Sequence, residues 1–245
     1  NNSVRLDGMA GQFVILFPDK DAFVVLTANA RNTQEELNLV HNYLIPAIKS
    51  DKALPANPAS YQTLLEKQSG LKIKPPVSEV QDSKFSGIVS GKEFVLQNND
   101  YQIQSVYFAF KEGECSFGIK RNNQVSVIKA GSGNWKFSNT KSTSLLAPPR
   151  TSVSKSIDAA YSVLQPVIKA GSVFAWTDPN TLEITTRFVE ESLGDQTIVC
   201  RFIEMNGVTS VTIGPKAMPG MAGAGAMGRM GPAPVQLRGT LVDID

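Results

Sequence analysis

The chain has 245 residues, of which 42% are hydrophobic and 19% are charged, a composition typical of a globular protein rather than a disordered one. Its 24 basic and 22 acidic residues give a net charge of +2, which argues against nucleic acid or an anionic membrane surface as a partner. The apolar runs are short and interrupted, so we expect no transmembrane helix.

Residues 1–50 show the pattern strand, turn, strand, helix. Two continuous apolar runs, 13–17 and 22–27, flank the turn Pro18-Asp19-Lys20-Asp21. Thr33 is the expected N-cap of the following helix, with Glu36 completing a capping box. We expect this strand pair and helix to leave a sheet edge and an apolar face uncovered. The apolar residues of this helix make one buried stripe, namely Leu37, Val40, Leu44 and Ile48. We expect Leu37, Val40 and Leu44 to pack against the barrel or a second copy of the chain.

Residues 51–82 are expected to form a linker with one short helix near 59–68. Residues 83–245 are mostly β in character, because short apolar runs alternate with turn signals such as Asn206-Gly207. One segment, 152–168, fits a helix better. Many short strands at this spacing predict an antiparallel barrel or sandwich. The predicted strands are 84–90, 93–97, 102–111, 114–120, 124–130, 133–138, 172–177, 181–190, 195–205, 208–213 and 235–243.

Two blocks of the sequence carry a family resemblance. The first is Asp7-Gly8-x-x-Gly11-Gln12, followed by strand, Pro-Asp turn, strand and a helix ending Leu44-Ile45-Pro46-Ala47. It resembles the C-terminal end of the catalytic domain in serine β-lactamase and penicillin-binding-protein-like hydrolases, the class C β-lactamase-related family. The second block, Trp135 with 175–182 and 187–190, resembles the β domain appended to many of these bacterial enzymes.

The resemblance implies an α+β, mostly antiparallel β fold. In it, a lipocalin-like β-barrel (83–245) follows a strand-strand-helix remnant of the hydrolase domain (1–50) and the linker (51–82). It implies a periplasmic or secreted bacterial protein, whose nucleophile and base would lie upstream of residue 1. The expected partner is the remainder of that catalytic domain or another copy of this chain, with a small apolar or peptide ligand as a further possibility.

The family's third motif, a Lys/His-x-Gly on an edge strand, would fall at Leu6-Asp7-Gly8, with Leu6 in place of the usual cationic or imidazole side chain. The resemblance therefore assigns Asp7, Gly8 and Met9 to the cleft edge, and the Met9 N–H to the oxyanion-donor position. Matches to the other motifs, which we do not expect to be catalytic, are Ser69-Gly70-Leu71-Lys72, Ser152-Val153-Ser154-Lys155, Ser132-Gly133-Asn134 and Lys169-Ala170-Gly171. We expect no catalytic centre in this chain.

The histidine, the two cysteines and a methionine-rich segment are also candidate binding residues. The single histidine, His41, lies beside the apolar stripe and is expected to be structural. With Cys115 and Cys200, which fit a buried free pair or one disulfide, it supplies too few ligands for zinc, and no cofactor is expected. The alternative function is a lipocalin-like barrel that binds a small apolar ligand. Four methionines in a Gly-rich segment could bind Cu(I), although a flexible loop is expected: Met218, Met221, Met227 and Met230.

Overall fold

The structure is a computed structural model that describes residues 2–28, 30, 32–50, 52–80, 83–140, 168–189, 195–216 and 236–242. The chain divides into two compact units, an N-terminal unit (1–73) and a barrel unit (74–245), which are described separately. Most of the described structure is strand, as the sequence predicted. It comprises a small three-stranded sheet in the first unit and a closed nine-stranded barrel in the second.

The N-terminal unit is an antiparallel sheet of order β1-β2-β3 with helical segments after it. The sequence pattern predicted only the second and third strands, because the first is short and mixes charged with apolar residues. Two 3₁₀ turns, Met9–Gly11 and Pro18–Lys20, connect the strands. The elements are β1 (Val4–Asp7), β2 (Phe13–Phe17), β3 (Ala22–Leu26), α1 (Thr33–Leu39), a π-helical turn (Val40–Leu44), α2 (Ile45–Ala47) and α3 (Pro58–Ser69).

The core of the N-terminal unit lies between its own sheet and its own helix. Leu37 and Val40 are buried against Phe13, Ile15 and Phe17 of β2. For these two side chains, the prediction that the helical stripe packs on the barrel or on another copy is wrong. Alternate residues of β2 point to one face of the sheet and supply the apolar surface that the helix needs.

The start of α1 also differs from the prediction. Asn32 is the N-cap and makes no side-chain capping bond, so Thr33 is the first helical residue rather than the cap. The Glu36 carboxylate does not close a capping box. It lies against Gly11, where an added Cβ would be 2.1 Å from Glu36 Oε2.

The described part of the barrel unit contains one short helix and ten strands. Nine of the strands close into a ring through β9–β10 pairing, and β8 pairs with β9 outside that ring. The elements are α4 (Lys84–Val89), β4 (Lys92–Leu96), β5 (Ile103–Lys111), β6 (Glu114–Arg121), β7 (Gln124–Ser132), β8 (Lys136–Thr140), β9 (Ile168–Asp178), β10 (Thr181–Phe188), β11 (Asp195–Met205), β12 (Val208–Pro215) and β13 (Leu237–Val242).

The predicted strand at 84–90 is wrong, because this segment is α4. Its two buried residues, Phe85 and Val89, are four apart, and that spacing places them on one face of either a helix or a strand. Ser83 decides between the two. Its Oγ accepts a hydrogen bond from the Phe85 N–H at 3.2 Å and donates one to the Pro179 carbonyl at 2.6 Å, which caps the helix.

Aromatic rings fill the section of the barrel interior next to α4. Phe202 of β11 is fully buried and contacts four other rings. The centroid distances from Phe202 are 5.5 Å to Phe85, 5.9 Å to Phe94, 5.2 Å to Phe108 and 5.8 Å to Trp176. Offset and edge-to-face contacts of this kind stabilise a core beyond its buried area.

Strand pairing around the ring is uneven. Antiparallel neighbours share at least four residue pairs, whereas β7 and β9 meet in parallel through only two, Gly131–Val173 and Ser132–Phe174.

The hairpin between β11 and β12 turns at Asn206 and Gly207, both with positive φ (51° and 76°), as the sequence predicted.

Cys115 and Cys200 are buried free thiols. Burial raises the pKa of both, and the neighbouring Cys115 adds to the upward shift of the Cys200 pKa. Since the thiolate is the reactive form, we expect neither to react with Ellman's reagent at pH 8 in the folded chain, and both to react after unfolding in guanidinium. Rapid labelling of the folded chain would contradict this placement, and an absence of thiols after unfolding would indicate a disulfide.

Candidate functional site

The residues assigned to the cleft edge lie where β1 ends. Asp7 is the last residue of β1, and Gly8 leads into the 3₁₀ turn at Met9–Gly11. Within the described sheet β1 is an edge strand, as the family resemblance implied. The role of the Met9 N–H as an oxyanion donor stays a prediction.

The carboxylate of Asp7 is engaged by its own strand. Arg5 Nε lies 2.5 Å from Asp7 Oδ1, and Arg5 Nη2 donates to Asp7 Oδ2 at 2.8 Å. The guanidinium also lies over the Phe13 ring, 5.5 Å from its centroid. This bidentate pair occupies the carboxylate and leaves it poorly suited to act as a base.

The turn after Asp7 is tied to the rest of the unit. The Gly8 N–H donates to the Gln12 carbonyl at 2.7 Å, and the Ala30 N–H donates to the Ala10 carbonyl at 2.9 Å. Gln12 Nε2 donates to the Ala28 carbonyl. These bonds fix the backbone of the candidate cleft edge, which is what a site built from main-chain N–H groups requires.

The face of the sheet opposite the helix is apolar and exposed. In the register of the three strands, Leu6, Val14 and Val25 form one cross-strand row, and Val4, Leu16 and Phe23 form the next. We call these six residues the outer face. Phe23 is 72% exposed and Leu6 64%, so Leu6, which stands at the family's cationic position, belongs to this face. An uncovered apolar face was expected from the strand pair and helix of residues 1–50.

The serines and lysines that match the family's catalytic motifs, where the structure describes them, occupy positions unsuited to a nucleophile and its base. Ser69 ends the solvent-exposed helix α3 instead of opening a buried helix, and its Oγ donates to the Glu66 carbonyl at 2.9 Å. Ser132 closes β7, with its N–H donating to the Gly113 carbonyl at 2.8 Å. Lys169 lies within β9. Ser152 to Lys155 and the four methionines of the Gly-rich segment fall outside the described residues.

Two other side chains that could in principle take part in catalysis, His41 and Asp178, make contacts typical of a structural role. His41 lies in the π-helical turn with its ring edge-on to Phe17, the centroids 5.7 Å apart. Asp178, in the β9–β10 turn, accepts a 2.7 Å bond from the Asn180 N–H. Burial raises the pKa of Asp178, but hydrogen bonds from Thr181 and Asn180 outweigh it, so the net shift is downward. A lowered pKa suits a turn carboxylate better than a general acid.

Sequence reasoning missed an apolar groove beside β3 and the part that Glu36 plays in it. Its lining combines the end of β3 with the π-helical turn, two elements brought together only by folding. The one available signal was a glutamate on the same helix as the apolar stripe. The lining residues are Leu26, Thr27, Ala28, Glu36, Leu39, Val40, Tyr43, Leu44 and Ala47.

The described residues contain no cluster of three His, Cys, Asp or Glu side chains arranged to hold a metal ion. No helix among them combines the length and apolar character needed to cross a membrane. Comparison of the chain with protein-family models, with curated proteins and with solved structures finds no match.

Proposed function

We propose that the N-terminal unit is the closing edge of the catalytic sheet of a β-lactamase-related serine hydrolase, and that the barrel unit is its accessory domain. The reactive serine and its base belong to other segments of the same protein, in the periplasm or outside the cell. The outer face is the observation that carries this proposal.

A three-stranded sheet with apolar residues on both faces needs cover on both. In the described unit the helix covers Phe13, Ile15 and Phe17, while the outer face remains exposed. Contiguous apolar patches of this kind mark surfaces that another structure covers. The remainder of a catalytic domain would bury this face, and β1 would keep its free edge at the cleft.

The barrel fits the role of an accessory domain. Phe202 and its four neighbouring rings occupy the interior next to α4, where a lipocalin-like ligand would otherwise need space. A well-packed interior of this kind supports a scaffold whose outer surface, rather than its centre, serves the enzyme.

The test uses the natural polypeptide that contains this chain. It is incubated with a fluorescent penicillin and, separately, with a fluorophosphonate, and the acylated residue is mapped by mass spectrometry. We expect labelling at a serine outside residues 1–245, and no labelling when this chain is incubated alone. We further expect Phe23→Asp, which places a charge on the outer face, to reduce labelling strongly because that face is covered in the active enzyme.

The matched control is Tyr61→Asp on the exposed helix α3, where Tyr61 is 63% exposed and labelling should be unchanged. Acylation of a serine in this chain, such as Ser152, would overturn the proposal. So would labelling that is unaffected by Phe23→Asp, because the outer face would then not be buried in the enzyme.

A further inference from the structure

The groove beside β3 combines apolar walls with a carboxylate. It has a volume of about 540 Å³ and lies between the end of β3 and the helical segments, on the side of the sheet opposite the outer face. Three of its apolar side chains remain largely in solvent, with Leu39 59% exposed, Tyr43 71% and Leu44 46%. We call it the β3 groove.

Glu36 is one of the residues that line the β3 groove, and one oxygen of its carboxylate is unsatisfied. Among the described residues, its Oε2 is buried without a hydrogen-bond partner, and no ion pair includes it. The packing against Gly11 holds the carboxylate in this place. A buried acceptor without a donor is destabilising, so a cation or N–H donor brought to the groove would gain more than it would at a solvated glutamate.

The groove has the dimensions of a helix-binding surface. Leu39, Tyr43 and Ala47 follow one another at four-residue spacing along the helical segments and span about 12 Å. An amphipathic helix binds such a surface with apolar residues at a similar spacing. The π-helical turn at Val40–Leu44 widens the helix at this place, a feature frequent at functional sites.

We propose that the β3 groove binds an amphipathic helix of a partner polypeptide, and that a lysine or arginine of that helix pairs with Glu36. The aliphatic stem of such a side chain lies along apolar walls while its charged end reaches the carboxylate. The proposal is independent of the hydrolase assignment, which concerns the other face of the sheet.

The test uses the full chain and a fluorescein-labelled helical peptide of about 15 residues, with leucines at every fourth position and one lysine one turn from the first leucine. Fluorescence anisotropy should show saturable binding. Replacing the peptide lysine by glutamine should weaken it at least about tenfold, as expected for loss of a charge-assisted hydrogen bond. Glu36→Gln should weaken binding of the lysine peptide similarly and leave the glutamine peptide unchanged.

The control variant is Tyr61→Ser on α3, outside the groove, which should not change binding. The change on the peptide side cannot unfold the protein, so it keeps the test decisive even where Glu36→Gln alters folding. Absence of saturable binding, or equal affinity for the two peptides, would overturn the proposal. A concentration-dependent dimer that Tyr43→Ser abolishes would assign the groove to a second copy and would also overturn it.

Discussion

Phe202→Ala should lower the free energy of unfolding of the barrel unit by about 3–5 kcal/mol, the range for deleting a fully buried phenylalanine. Phe202 contacts rings from α4, β4, β5 and β9, so its removal leaves a cavity that four elements line and none can fill alone. The measurement is urea denaturation followed by tryptophan fluorescence. Both tryptophans, Trp135 and Trp176, lie in the barrel unit, and Trp176 contacts Phe202 directly.

The neighbouring residue provides the control. Ile203 follows Phe202 on β11 but points out of the barrel and is 51% exposed, so Ile203→Ala should cost less than about 1 kcal/mol. Equal losses from the two variants would mean that the interior is not packed around Phe202. The proposal that the barrel is a scaffold with a filled interior would then fail as well.

Gly11→Ala should destabilise the N-terminal unit by about 1–3 kcal/mol, the combined cost of a positive φ and of displacing a neighbouring side chain. Its φ of 88° is disfavoured for any residue with a Cβ, and the added Cβ would lie 2.1 Å from Glu36 Oε2. The Glu36 carboxylate would have to move away from the turn, and the strain of a positive φ at an alanine would remain. The measurement is amide hydrogen exchange of β2, which reports opening of this unit without interference from the barrel.

Two controls separate the causes. Gly207→Ala carries a similar positive φ, 76°, but an added Cβ there meets nothing within 4 Å, so it shows the cost of the backbone conformation alone. Gly11→Ala combined with Glu36→Ala removes the clash and should recover part of the loss. A Gly11→Ala chain as stable as the unchanged protein would place Glu36 away from the turn and would remove the basis for the β3 groove.

Local chemistry made much of the fold predictable from sequence. Asn206-Gly207 marked its hairpin because both residues tolerate positive φ, and the apolar runs of β2 and β3 marked a strand pair. Local chemistry also explains the failures. The spacing of Phe85 and Val89 satisfies both a helix and a strand, so only the Ser83 cap distinguishes them. The mixed residues of β1 carry too weak a pattern to be recognised without the pairing that β2 provides.

The candidate sites were predictable to different degrees. The resemblance placed Leu6, Asp7 and Gly8 on an edge strand; Leu6 and Asp7 lie in β1, an edge strand of the described sheet, and Gly8 follows it. Their role at a cleft stays a prediction. The Arg5–Asp7 pair was not anticipated, although the two residues are two apart on one strand and therefore share a face. The position of Glu36 depends on the helix returning across the turn at Gly11, a long-range contact that no local pattern contains.

The short parallel join between β7 and β9 has a consequence for how the barrel holds its shape. Breaking its two residue pairs would convert the ring into an open curved sheet and leave every antiparallel ladder intact. Side chains that reach across the interior therefore add to the few backbone pairs at this join. Phe110 of β5 does so, with ring centroids 5.6 Å from Phe174 and 5.9 Å from Trp176 on β9. These rings tie β5 to β9 from inside the barrel, on either side of the place where the backbone pairing of the ring is shortest.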